Sequence, residues 1–185
     1  MKYPKMEWGT MEAIINKLGG EEGVAKFLRG EVELVVTKVI NFITHTFTVL
    51  VNETLSVEKA VKEGKFDWVN DDIVSDNFPK LKDGKKSEKD VVLFHFNKDM
   101  SSEAVIAEMD KVGYKPASIW DLLGLAVKEP NLQREFPIVA LGSVCKVDGH
   151  RDGPYLYRDS DGRYLDLHCF GDDWHDDDRF AGVRK

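Results

Sequence analysis

The chain is predicted to be α+β, on three observations. Apolar residues recur at helical spacing in two segments, one after Ser101 and one after Ser118. From Phe136 onward the sequence breaks into short strand-like runs separated by turn residues. A further stretch rich in Val, Ile, Thr and Phe, from Glu31 to Val51, reads as strand. With 185 residues, 42% hydrophobic and 10% aromatic, there is material for one good core or two small ones.

Taken in order, Met11, Ile14, Ile15 and Leu18 follow the cap candidate Thr10, and Gly19-Gly20 separates them from a second short helix with Val24, Phe27 and Leu28. Ser56 to Glu63 is a further short helix. The charged run Lys80 to Asp90 reads as a solvated loop or domain seam. The expected organisation is therefore a small helix and strand region over 1–80 and a second domain over 91–185. Val91 to Phe96 is a buried-type strand. The helix after it carries Val105, Ile106, Met109 and Val112 on one face and closes at Gly113. Ser118 and Asp121 stand at capping spacing before Leu122, Leu123, Leu125 and Ala126, with Pro130 past the end. The later strands form an antiparallel, loop-rich sheet with Asp159 to Gly162 as a hairpin turn.

Composition narrows the function. A net charge of -7 without a basic stripe argues against a duplex nucleic acid partner. Ile14 to Leu28 has the pattern of a helix-turn-helix opening, but strand-like residues follow it where a recognition helix would stand. Val39 to Val51 is too short and too interrupted to span a membrane. Cys145 and Cys169 cannot build a disulfide framework, and Met-Lys-Tyr-Pro-Lys is not followed by a signal-peptide core. A reduced, cytoplasmic setting is the default, with export by another route left open.

The chemistry-bearing residues crowd into Asp166 to Phe180, "DLHCFGDDWHDDDRF". His168, Asp172, Asp173, His175, Asp176, Asp177 and Asp178 could ligate a metal, so a metal-dependent enzyme using the 166–178 cluster is the alternative function. The spacing matches no HExxH, CxxC or EF-hand pattern, and no cofactor is expected. Ser143 lies outside any nucleophile elbow, and neither cysteine has an assigned histidine, so no catalytic constellation is supported. His45 and His95 read as packed core residues and His150 as a turn residue.

A compositional break is more informative. Residues 1–150 hold 14 Glu, 10 Asp, 18 Lys and 2 Arg, whereas residues 151–185 hold 9 Asp, no Glu, 5 Arg and only the terminal Lys185. Strand and turn preferences give no reason to exclude Lys from exposed positions. Codons do. Asp, His, Tyr, Cys, Gly, Ser and Arg are all reached from the asparagine codon AAC by changing its adenines, while Glu, Lys, Gln and Met are not. Leu165, Leu167, Phe170, Trp174, Phe180 and Val183 stand between them as an apolar scaffold.

The runs "KPASIWDLLGLA" and "LQREFPIVALGSV" and the closing Trp174 with "RFAGVRK" resemble the variable proteins of diversity-generating retroelements, over about Val91 to Lys185. The resemblance implies a C-type-lectin-like domain of two helices and an antiparallel, loop-rich sheet. It also implies that a reverse transcriptase rewrites adenine positions of the tail, about 155–178, to diversify a ligand-binding surface. That fold is related to the formylglycine-generating enzymes, whose catalytic cysteine arrangement is lacking, so oxidase activity is not implied. The contacts expected are Asp166, His168, Cys169, Gly171, Asp172, Asp173, His175, Asp176, Asp177 and Asp178, with Tyr155, Tyr157, Arg163 and Tyr164 as weaker candidates. Leu165, Leu167, Trp174, Phe180 and Arg184 are expected as scaffold. The target expected is a protein with a basic patch, or one bridged by a cation.

Overall fold

In a computed structural model, the described residues are 12, 15, 16, 18–31 and 42–185. The chain divides into two compact units, Met1–Ile40 and Asn41–Lys185. In the first, helix α1 spans Gly20–Leu28 after Gly19, whose φ of 88° places the break between the two expected helices. Most of the expected Met11 to Leu18 helix, and the strand expected over 32–41, lie outside the described residues.

The second unit is α+β around one mixed sheet. Its elements are β1 (Ile43–Asn52), α2 (Val57–Gly64), β2 (Trp68–Val69), β3 (Lys86–Phe94), β4 (Met100–Ser101), α3 (Ser102–Lys111), β5 (Tyr114–Pro116), α4 (Ile119–Lys128) and a 3-10 turn at Leu132–Arg134. Then come β6 (Ile138–Val139), β7 (Cys145–Val147), β8 (His150–Asp159), β9 (Gly162–Cys169), β10 (Asp173–Trp174) and β11 (Arg179–Arg184). The sheet order is β1-β3-β11-β6-β8-β9-β2, with β5 on β11, β7 on β8, and β10 paired with β4 apart from it. Two pairings, β11 with β6 and β2 with β9, are parallel, so the sheet is mixed where an antiparallel one was expected.

Both faces of the central strands are buried, which is why Val91-Val92-Leu93-Phe94 is an unbroken apolar run. Val91 and Leu93 pack with Leu122, Leu125, Leu156 and Leu165 on the side of α2 and α4. Val92 and Phe94 pack with Met109, Phe170, Trp174 and Phe180 on the side of α3. The C-terminal strand is threaded through this core, and Gly182 is required there. A Cβ would come within 2.9 Å of Phe94 and 3.0 Å of Met109.

The Lys80 to Asp90 run differs from its expected role. Lys86 to Asp90 extends β3 as a full partner of β1, register Asn52↔Lys86 through Thr48↔Asp90. Half-buried Ser87 and Lys89 alternate with exposed neighbours, so Lys86, Glu88 and Asp90 are the outer row of a strand. Lys89 reaches across to Glu53 (2.5 Å) and Asp121 (3.1 Å). His45, expected in the core, is exposed beside Phe47 and Phe136. No helix of the described residues is long and apolar enough to cross a membrane.

Helix α4 begins with a complete capping box. Asp121, only 3% exposed, accepts from the Ser118 backbone N–H (2.8 Å) and hydroxyl (2.7 Å), and Ser118 Oγ accepts from the Asp121 N–H. Asp121→Ala is expected to cost about 1–3 kcal/mol, because it removes the cap and half of the Lys89 pairing. The check is a denaturation midpoint beside that of exposed Glu88→Ala; coincident midpoints would refute the role.

Candidate functional site

Strands β8 and β9 form a hairpin whose two-residue turn puts Ser160 at φ 52°, with register Asp159↔Gly162, Tyr157↔Tyr164 and Tyr155↔Asp166. Because side chains alternate across a strand, Leu156 and Leu165 point into the core and Leu167 packs at its edge. Tyr155, Tyr157, Tyr164, Asp166 and His168 stand on the other face, all half-buried.

That face carries a chain of ring contacts. Tyr155 stacks on Tyr157 at 5.0 Å, Tyr157 meets Tyr164 at 5.4 Å, and Tyr164 meets Trp68 at 5.8 Å. At the other end His168 lies 6.0 Å from Tyr155 and 4.9 Å from Trp174. The core side supports the two central rungs, since the buried Gln133 amide donates to the carbonyls of Tyr157 (2.8 Å) and Tyr164 (3.0 Å).

Trp68 and Asn70 are functional candidates that sequence reasoning missed. The segment is stitched to β9 by Asp67 N–H to the Arg163 carbonyl, Arg163 N–H to Asp67 Oδ2, and Asn70 N–H to the Leu165 carbonyl. These bonds seat Trp68 beside Tyr164, 42% exposed, and let Asn70 Nδ2 donate to Asp166 Oδ1 at 2.7 Å. A two-residue strand has no periodicity to detect; the signal was an aromatic residue among polar ones.

Beyond β9 the chain turns over the α3 side of the core. Trp174, 2% exposed, donates from its indole to Ser102 Oγ (2.8 Å), and that hydroxyl donates to the Phe170 carbonyl (2.8 Å). His95 Nε2 donates to the Asp176 carbonyl at 2.9 Å. Gly171, Asp172, Asp173, His175, Asp176 and Asp177 are exposed. A Cβ on Gly171 would meet nothing nearer than Cys169 Sγ at 3.7 Å, so a side chain fits there.

Three residues differ from their expected roles. Arg163, 8% exposed, donates to the carbonyls of Gly64 (2.7 Å), Lys65 (3.4 Å) and Ala126 (3.0 Å), so it ties β9 to α2 and α4 instead of facing a ligand. Asp178, 7% exposed, accepts from the His175 N–H (2.9 Å) and closes the acidic turn from within. Arg184, expected as scaffold, is exposed with its guanidinium 4.9 Å over Tyr114. Cys169 is half-buried on the opposite face of the hairpin from His168. With Leu167, Asn70, Asp72, Asp148 and Asp152 it lines a cleft of about 500 Å³ on the other face of the hairpin.

Among the described residues no three of His, Cys, Asp and Glu could hold a metal ion together. Burial pushes the Cys145 thiol up to about 11, Asp152 and Asp72 adding to the shift, which keeps it protonated and unreactive. Ser143 Oγ accepts from the Ile119 N–H at 3.0 Å.

Comparison with known proteins finds no matching family model, no similar curated protein and no similar solved structure. The site must be read from its own geometry.

Trp174→Ala is expected to cost on the order of 3–5 kcal/mol, whereas Ser at Asp172, Asp173, Asp176 and Asp177 together should move stability by no more than about 0.5 kcal/mol per site. Denaturation midpoints in chelator check both; the reverse ranking would make the acidic loop a structural network.

Burial raises the Asp178 carboxyl above its ordinary value of 3.8, with neighbouring Asp177 adding to the shift and the His175 N–H opposing it. A raised folded value means that its contribution to stability is complete below the unfolded value and is lost as pH rises through the folded one. Asp178→Asn keeps an oxygen for the His175 N–H and loses the charge. Its midpoint should therefore gain on wild type between acid and neutral pH, and a difference that stays level or shrinks would contradict the assignment.

Proposed function

We propose that the second unit is a C-type-lectin-like display domain, and that the outer face of β8 and β9 with the 171–177 loop binds a protein target. On this reading the tail is diversified by adenine-directed retroelement mutagenesis. The observation that carries it is a sorting of residue types by position. Residue types reachable from AAC, namely Tyr155, Tyr157, Tyr164, Asp166, His168 and the exposed loop residues, stand outward. The apolar residues that stand between them, namely Leu156, Leu165, Phe170, Trp174, Phe180 and Val183, are in the core, and the Trp codon holds no adenine to alter.

Physical chemistry supports this use of the surface. A rigid sheet lowers the ordering cost of binding, Tyr supplies large contact area with little rotamer freedom, and short polar side chains adapt their hydrogen bonds. Arg163, Asp178 and Gly182 are reachable types in structural positions and mark where change would be costly. The metal-dependent enzyme has no converging ligand set among the described residues to recommend it.

The deciding experiment is on DNA. Downstream of the gene there should be a near-copy of the codons for about Tyr155 to Lys185, differing almost only at adenines, near a reverse transcriptase gene. Sequencing that finds neither would end the diversification reading.

A further inference from the structure

The charges around the outer face are unbalanced. None of the nine Asp of residues 151–185 takes part in a salt bridge among the described residues, where the six ion pairs lie elsewhere. Four of the five tail arginines are already placed on rings. Arg151 lies 4.0 Å over Phe170, Arg163 lies 5.1 Å over Phe66, Arg179 lies 4.6 Å over Phe136 and Arg184 lies over Tyr114. No cation of the described residues lies over Trp68, Tyr155, Tyr157 or Tyr164. The chain uses arginine on aromatic rings repeatedly, yet among the described residues the stretch of rings from Trp68 to Tyr155 carries none.

Acidic groups press on that run. Burial and then Asp166 raise the Tyr155 phenol, and burial, Asp166 and Asp159 raise that of Tyr157. A negative potential therefore covers rings whose own faces are electron-rich, an arrangement that attracts cations.

We infer that the strip Trp68–Tyr164–Tyr157–Tyr155, flanked by Asp159 and Asp166, takes arginine side chains from an extended segment of the partner protein. The inference rests on the binding-face reading and deepens it by naming the partner's chemistry. A guanidinium is planar and weakly hydrated, so it stacks on an aromatic face while its edge donates to carboxylates; an ammonium matches the charge without the plane. Ring spacings of 5.0–5.8 Å make a continuous track for side chains spaced along an extended chain. Trp68 lies outside the tail, so it would be a constant contact beside variable ones.

The test titrates the full chain by calorimetry with an arginine octapeptide, a lysine octapeptide and a neutral maltooligosaccharide, at about 150 mM salt to screen diffuse attraction. The arginine peptide should bind about tenfold more tightly than the lysine peptide. Trp68→Ala should reduce that preference by about tenfold, and Tyr157→Phe should retain it, since stacking needs the ring and not the hydroxyl. Denaturation midpoints near wild type would show that both variants are folded. Equal affinity for the two peptides, or indifference to Trp68→Ala, would reduce the effect to charge alone and overturn the inference. Saccharide binding without peptide binding would also overturn it while leaving a binding face. A missing template repeat beside intact arginine preference would remove the diversification reading alone.

Discussion

One buried hydroxyl holds the acidic loop on the core. Ser102 Oγ accepts the Trp174 indole N–H and donates to the Phe170 carbonyl, both at 2.8 Å, so a single fully buried group satisfies two others. Ser102 opens α3 and follows β4, whose Met100 and Ser101 pair with Trp174 and Asp173. Helix start, strand pair and indole therefore converge on one point. Without it Trp174 would bury an unpaired N–H, and the loop would lose the ring that fills the space beside Phe180.

A second buried group works in the same way on the other face. Arg163 carries a charge into the interior, with carbonyl oxygens of Gly64, Lys65 and Ala126 in place of a carboxylate. Burial lowers its pKa, yet guanidinium stays charged at any ordinary pH, so the cost of desolvation is met by dipoles that other elements supply. Those dipoles come from the ends of α2 and α4, and the bond makes β9 dependent on both helices. Trp68 reaches the outer face because the adjoining backbone follows β9 in parallel.

The elements whose signals are local were legible in the sequence. Capping at Ser118 and Asp121, the break at Gly19-Gly20 and the turn after Asp159 all follow from short-range rules. Long-range pairing was not. Lys86 to Asp90 is strand because β1 lies opposite, and a charged run carries no trace of that partner. Arg163 and Asp178 have the composition of contact residues and the burial of structural ones, and only the positions of Gly64, Ala126 and His175 separate the two. The described structure is an α+β unit with a mixed sheet buried on both faces at its centre.

The loop from Phe170 to Arg179 explains how a surface can change without unfolding what it covers. Its anchors act on the main chain. Phe170 donates its N–H to the Arg151 carbonyl, Asp172 to that of Cys169, and Asp178 to that of His175. The carbonyls of Phe170, Asp176 and Asp177 accept from Ser102, His95 and Arg179. The side chains committed to the interior are those of Phe170, Trp174 and Asp178. Substitution at 171, 172, 173, 175, 176 or 177 removes no anchor, because a backbone bond is indifferent to what the residue carries outward. Crowding of carboxylates there costs little because they are exposed, and water reduces the repulsion of two unit charges about 4 Å apart to about 1 kcal/mol. Asp178 is the exception that marks the boundary. Its carboxylate caps the His175 N–H, so the free surface ends at Asp177, and the next residues re-enter the sheet as β11, where every position from Phe180 to Val183 is buried.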